Sequence, residues 1–289
     1  NAVPAAELAT WTKAGAIAWS PFSNLWLYAS TTDIPAARAA GIAVCLGSDW
    51  GPSGTKHVLG EAKAARLVAD HNGWDLSDQD LVEMMTANPG DVLARSWGRQ
   101  IGRLQPGAIA DIVVIEAKAR ACAFSSIVAA TEKQVQLVVV GGRPVYGTTA
   151  LMTAAKAAPV TAITVAGQAR RLALTRSVAH GVTPAGAPWT WTSVTGRIDD
   201  VRAHPADAVR AAQSAMAPWA GRLDQAEAPL RLALDMPTGL APVGGLPKDL
   251  GQIVVPEIPT LTHDAAWLSA VQANPFHGGI LDGLGRYYS

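Results

Sequence analysis

Asp49 ends the run Gly41-Ile42-Ala43-Val44-Cys45-Leu46-Gly47-Ser48-Asp49, which breaks at once into Trp50-Gly51-Pro52-Ser53-Gly54. An apolar stretch of strand length thus delivers a carboxylate into a Gly/Pro loop ahead of a helix. In a β/α barrel, side chains at the C-terminal strand ends face the active site. A carboxylate there can bind a metal ion or exchange a proton with a reacting group. The same residue types suit a second role, because Asp and Ser are favoured immediately before a helix. Spacing alone therefore leaves Asp49 or Ser53 equally able to cap a helix that starts near Thr55.

The elements that must position this carboxylate lie on both sides of it. Upstream, the short apolar run Ala16-Ile17-Ala18-Trp19 opens into the polar loop Ser20-Pro21-Phe22-Ser23-Asn24, and a helix is expected over residues 34–40. Downstream, Val58, Leu59, Ala62, Ala65, Leu67 and Val68 recur at the spacing of a core-facing helical stripe within residues 56–70. Further strands are expected at 109–115 and 136–140, with a helix over 124–133 between them. Beyond residue 148 the chain is rich in Ala and Pro. There a hairpin is expected around Gly167 (160–165 with 169–175), a helix over 205–219, a strand at 230–234, and short helices at 264–272 and 280–288.

Five segments in order carry a family likeness: Ser20-Pro21-Phe22-Ser23-Asn24, Gly47-Ser48-Asp49, Thr86-Ala87-Asn88-Pro89, the Gly102 to Ile115 stretch with Pro106-Gly107 and Ala110-Asp111, and Val135 to Tyr146 with Gly142-Arg143-Pro144-Val145-Tyr146. Together they resemble the C-terminal part of the metal-dependent amidohydrolase superfamily, in the branch of deaminases, chlorohydrolases and imidazolonepropionase-like enzymes. The likeness covers residues 16 to about 146, roughly half the chain.

The resemblance implies an α/β fold: the C-terminal portion of a (β/α)8 TIM-like barrel, incomplete, with part of a small β-sandwich and an α/β C-terminal extension. Residues 1–97 would be the last βα units, 98–148 part of the composite sandwich, and 149–289 the extension. It also implies hydrolysis of a C–N bond in a small-molecule substrate (an amide, cyclic amide or heterocyclic amine) by water activated on zinc or iron, with Asp49 as metal ligand and proton carrier. Ser23, Asn24, Trp19 and Trp50 become candidates for the substrate pocket. Ser23 and Asn24 equally suit a turn that holds the backbone, and the tryptophans equally suit packing between barrel and helices.

Relatives of this kind carry a His-x-His pair and further histidines on earlier strands. The six histidines here (His57, His71, His180, His204, His263, His277) include no such pair, and none precedes Asp49 at a strand end. A full barrel takes about 250 residues, and only 109 precede Ala110-Asp111. The sequence therefore reads as the C-terminal part of a longer enzyme, with the ligating histidines expected in an N-terminal half present in cis or in trans. A split-hydrolase subunit or an inactive scaffold is the alternative.

Lys plus Arg and Asp plus Glu balance at 23 each, so no overall field recruits nucleic acid or an anionic membrane. No apolar run approaches the roughly 18 residues of a spanning helix, and a cytoplasmic location is the default expectation. Two cysteines make no disulfide framework; Cys45 and Cys122 are expected in the core. His57 and Glu61, four apart, are expected to be a surface pair or a cap contact. The Gly51–Gly54 loop is expected to be an ordinary turn, and Asp111 a backbone anchor. His263-Asp264 is expected to begin a helix, and His277-Gly278-Gly279 to be a loop.

Overall fold

The computed structural model describes residues 5–11, 15–49, 51, 53–117, 122–174, 190–212, 214 and 260–288. By its internal contacts the chain divides into two units, one of residues 1–174 with 259–289 and the other of residues 175–258. The hairpin after residue 160 and the C-terminal helices, expected in an extension beginning at 149, both lie in the first unit.

In the first unit, a short helix α1 (Ala5–Leu8) precedes strand β1 (Ala16–Trp19), helix α2 (Pro21–Tyr28), helix α3 (Ile34–Ala39) and strand β2 (Ala43–Leu46). Local chemistry sets these bounds. Pro21 occupies the first turn of α2, where its missing N–H is harmless. Asp33 caps α3 by accepting from the Ala36 amide at 2.9 Å. Gly41, at φ +75°, turns the chain from α3 into β2. The two strands run parallel, Ala16 opposite Ala43 and Trp19 opposite Leu46. Parallel pairing demands a crossover, here α2 and α3, and it sets both strand C-termini at the same end.

Helix α4 (Val58–Asn72) follows, then α5 (Asp78–Met85) and α6 (Ala87–Trp97). His57 caps α4, its Nδ1 accepting from Gly60, and Gly73 ends it at φ +64°. Neither Asp49 nor Ser53 caps this helix, because it starts at Val58, beyond the reach of either. Ser77 and Asp80 form a reciprocal capping box on α5. The core gathers around α4: Ala62, Ala65 and Val68 meet Leu8, Ile34, Leu81, Met84, Leu261, Leu281 and Leu284, all nearly or fully buried. Gly283 lies so close to α4 that an added Cβ would meet Leu67 Cδ2 at 2.4 Å.

The second sheet has five strands, all antiparallel. They are β3 (Ile112–Ile115), β4 (Val135–Val140), β5 (Arg143–Gly147), β6 (Thr161–Val165) and β7 (Gln168–Leu172), in the order β3-β4-β5-β7-β6. Two hairpin turns place consecutive residues at positive φ, Gly141-Gly142 and Ala166-Gly167, as type I′ turns require. The expected hairpin is thus present, and it extends the sheet beyond β5. Helix α7 (Ala123–Ala129) and α8 (Thr149–Ala154) flank the sheet's strands in sequence. α7 is shorter than the helix expected over 124–133, because Ala130 is extended and a separate 3-10 turn (Glu132–Gln134) follows with its own capping pair.

The remaining helices are α9 (Trp191–Ala203) in the second unit, and α10 (Ala265–Ala273) and α11 (Gly285–Tyr288) in the first. Residues 205–212 are also helical; the rest of the helix expected to 219, and the strand expected at 230–234, lie outside the described residues. Asp264 caps α10 through the Trp267 amide at 2.9 Å. His277 is buried in a 3-10 turn, its Nε2 2.8 Å from the Val271 carbonyl. No helix among the described residues is long and apolar enough to cross a membrane.

Candidate functional site

Asp49 lies three residues past the end of β2, at the end of the parallel pair where both strands finish. Its backbone is left-handed, φ +54°, a region non-glycine residues seldom occupy, Asp and Asn more often than others. That turn carries the chain out of the strand direction, and the residue is exposed. Ser23 donates its hydroxyl to Asp49 Oδ2 at 2.6 Å and lies 3.2 Å from the Ser53 hydroxyl. Ser23 and Ser53 are both buried. Ser23, in the first turn of α2 rather than in the loop expected, thus joins Asp49 and Ser53 of the loop after β2 in one hydrogen-bonded chain.

Beneath this chain sits a carboxylate that sequence reasoning misassigned. Glu61, expected in a surface pair, is fully buried on α4. Its Oε2 accepts from the Phe22 amide at 3.0 Å, and its Oε1 from the Thr55 amide at 2.9 Å and the Thr55 hydroxyl at 2.7 Å. One side chain therefore ties the start of α2 to the loop after β2. Burial pushes the Glu61 carboxyl above its ordinary range, the Thr55 and Phe22 donors oppose this, and the Asp49 charge adds to the upward push. The signal available in sequence was position alone: Glu61 falls on the same helical stripe as Ala65 and Val68, the face that the core claims.

His57, its expected companion, points elsewhere. Nε2 lies 3.1 Å from Glu132 Oε1, near enough for an ion contact although not aligned as a hydrogen bond. Glu132 also accepts from the Leu261 amide and the Thr262 hydroxyl, both at 2.7 Å. Burial alone would raise its carboxyl, but His57 and Thr262 outweigh that and bring it down to about 2.

The other site candidates divide. Trp19 is buried in the core, donates Nε1 to Thr31 Oγ1 at 2.8 Å, and packs on Trp74 at 6.1 Å between ring centroids. This is packing of the strand end against the segments that follow α2 and α4, so Trp19 lies in the core. Asn24 lies within α2, not in a loop, and its Oδ1 accepts from the same Thr31 hydroxyl at 3.1 Å. Trp50 is outside the described residues. Cys45 is half-buried, whereas Cys122 is exposed at the start of α7 and is not the core residue expected. Asp111 anchors backbone as expected, accepting from the Gly141 amide at 2.6 Å.

Residues 6–145 match the amidohydrolase family. A curated relative, the 5-methylthioadenosine/S-adenosylhomocysteine deaminase of Syntrophomonas wolfei, is 31% identical over 106 residues, covering 35% of this chain and 24% of its own. Among solved structures, guanine deaminase of Escherichia coli is similar at 23% identity over 51% of this chain and 38% of that one, with a TM-score of 0.45. Atrazine chlorohydrolase of Arthrobacter aurescens, solved with zinc, is similar at 28% identity over 50% and 34%, with a TM-score of 0.41. Residues 6–145 are thus similar to the amidohydrolase family, and the curated relative that matches part of this chain is a deaminase. The chain spans about a quarter of the length of the curated relative.

Proposed function

We propose that this segment is the C-terminal part of a metal-dependent hydrolase that cleaves a C–N bond, of an amide, a cyclic amide or a heterocyclic amine, in a small-molecule substrate. The observation that carries the reading is Asp49 at the shared C-terminal end of β1 and β2, fixed by Ser23. Residues 1–97 then supply the last βα units of a barrel and 98–148 part of a sandwich. A zinc or iron ion would lower the pKa of bound water toward 7 and so provide hydroxide at neutral pH.

The described residues do not by themselves fit such an ion. A catalytic zinc generally takes three protein ligands, and among the described residues no three His, Cys, Asp or Glu side chains cluster to hold a metal. Glu61 is near enough to respond to the Asp49 charge, yet both its oxygens are already committed to protein donors. In this reading the ligating histidines would be supplied by an N-terminal half. Within the assembled site, Asp49 would take a proton from the attacking water and pass it to the leaving nitrogen. Ser23 holds that carboxylate in register, and Glu61 ties the start of α2, which carries Ser23, to the loop after β2 that carries Asp49.

A second reading is favoured by the parallel pair itself. Among the described residues β1 and β2 pair only with each other, so each has an edge able to accept another strand. As a split-hydrolase subunit, the chain would receive the histidine-bearing strands from a partner polypeptide.

Metal analysis and turnover of the 289-residue chain, alone and after addition of a histidine-bearing N-terminal half, test both readings. Expected are sub-stoichiometric metal and no turnover alone, with both restored on assembly. Stoichiometric tight metal with turnover in the isolated chain would refute the proposal. So would an assembled enzyme whose rate is untouched by Asp49→Asn.

A further inference from the structure

The chain leaves the first unit at residue 174 and returns to it at residue 259. The returning segment is anchored at one end on the five-stranded sheet. The Leu261 amide and the Thr262 hydroxyl donate to Glu132, in the turn before β4. His263 lies against the β6–β7 turn, where a Cβ added at Gly167 would sit 3.5 Å from its Cε1.

Its next residues grip both sides of the Asp49 chain. Asp264 Oδ2 accepts from Lys56 Nζ at 2.5 Å, and both side chains are mostly shielded from water. Lys56 directly follows Thr55, whose amide and hydroxyl donate to Glu61, and lies three residues past Ser53. Trp267 stacks on the buried Phe22 with ring centres 5.6 Å apart, and Phe22 directly precedes Ser23. The Asp264 carboxylate is divided between two elements: Oδ1 caps α10 through the Trp267 amide, and Oδ2 holds the loop after β2. A carboxylate already fixed by its cap has little freedom left to lose on pairing, and a shielded pair is weakly screened by salt. The place of α10 is thereby passed to Lys56.

We propose that residues 260–267 form a strap across the Asp49 site, with Asp264 as its positioning residue: through Lys56 it holds the loop after β2 against α2 and keeps Asp49 and Ser53 in reach of Ser23. Glu61 fastens the same two elements from the core side, and the strap fastens them from the other. The importance of Asp49 to chemistry rests on the hydrolase reading, whereas the strap does not.

The test uses the 289-residue chain carrying Asp264→Asn, which keeps an oxygen to cap α10 and removes the charge that faces Lys56. Two readouts are taken: amide hydrogen exchange, and carbon NMR of carboxyl-labelled aspartates, with the Asp49 resonance assigned by its loss in Asp49→Asn. Exchange at the Thr55 amide is expected to quicken about fivefold, the scale of one partly exposed ion pair. The Asp49 carboxyl resonance should move, while the β4 amides exchange as in the parent. Lys56→Met should act in the same way, and the double variant should add little to either single one. The proposal is overturned by an unmoved Asp49 resonance, by Thr55 exchange at the parent rate, by acceleration that β4 shares equally, or by additive effects of the two variants. Neither readout involves turnover or metal, so failure here is distinct from failure of the hydrolase reading.

Discussion

The two sheets of this protein solve the same problem in opposite ways. The five-stranded sheet is assembled mainly from neighbours in sequence. β4 and β5 turn through Gly141-Gly142, β6 and β7 through Ala166-Gly167, and the second hairpin then covers the edge of β5. The parallel pair has no such local partners, since each parallel neighbour costs a crossover. It is held instead by side chains: Glu61 across both loops, Ser23 on Asp49, and Asn88, whose Nδ2 donates to the Val44 carbonyl at 2.8 Å. The sheet that carries the candidate chemistry is the one that depends on clamps.

The sharpest way to break that comparison is to remove the main clamp. Glu61→Ala strands the Phe22 and Thr55 amides, and should cost about 3 kcal/mol by urea unfolding, the scale of losing one partner of a buried charged network. Glu61→Gln keeps the shape and one acceptor oxygen, so it should cost about half as much. If both variants unfold like the parent, the parallel pair has other means of support.

Gly90 tests the joint between the two regions. An added Cβ there would meet the Ile101 carbonyl oxygen at 2.3 Å, so Gly90→Ala should cost about 2 kcal/mol or more through backbone displacement. A chain of unchanged stability would mean the segment around Ile101 gives way freely.

Lys63 offers a pH signature. Burial lowers its amine to about 7 while the Glu132 charge resists. The unfolded chain, with its lysine near 10.4, binds the extra proton between these values, so stability should rise as pH goes from about 7 towards 10. Glu132 works at the other end: its carboxyl is depressed to about 2, so its contribution should be lost as pH falls from about 4.5 towards 2. Unfolding free energies of Lys63→Met and Glu132→Gln across pH should show the alkaline and the acid slope flattened, respectively.

The smallest expected effect concerns Ala29, which ends α2 in the left-handed region at φ +51° on the surface. Glycine is at ease there, and Ala29→Gly should stabilise by roughly 0.5–1 kcal/mol in the same unfolding assay.

Much of this arrangement was legible in the sequence because it rests on local rules. The Asp49 strand, the amphipathic α4, the hairpin at Gly167 and the Asp264 cap are all set by periodicity, turn chemistry or capping within a few residues. The Glu61 clamp was not legible, because its three donors sit 6 and 39 positions away and nothing in the spacing announces them. Trp19 stayed open for the opposite reason: a large aromatic at a strand end suits a pocket wall as well as the core packing that was the base expectation, and the position of Trp74 decides for packing. Cys122 followed a residue-type tendency that its place at the first turn of α7 overrode.

The shared fastening of Phe22 and Thr55 to one helical side chain makes the two rims a single mechanical part. A shift of α4 would carry both loop ends together and preserve their mutual spacing. Substitutions along the intervening turn would then change the surface beside Asp49 while leaving that frame intact.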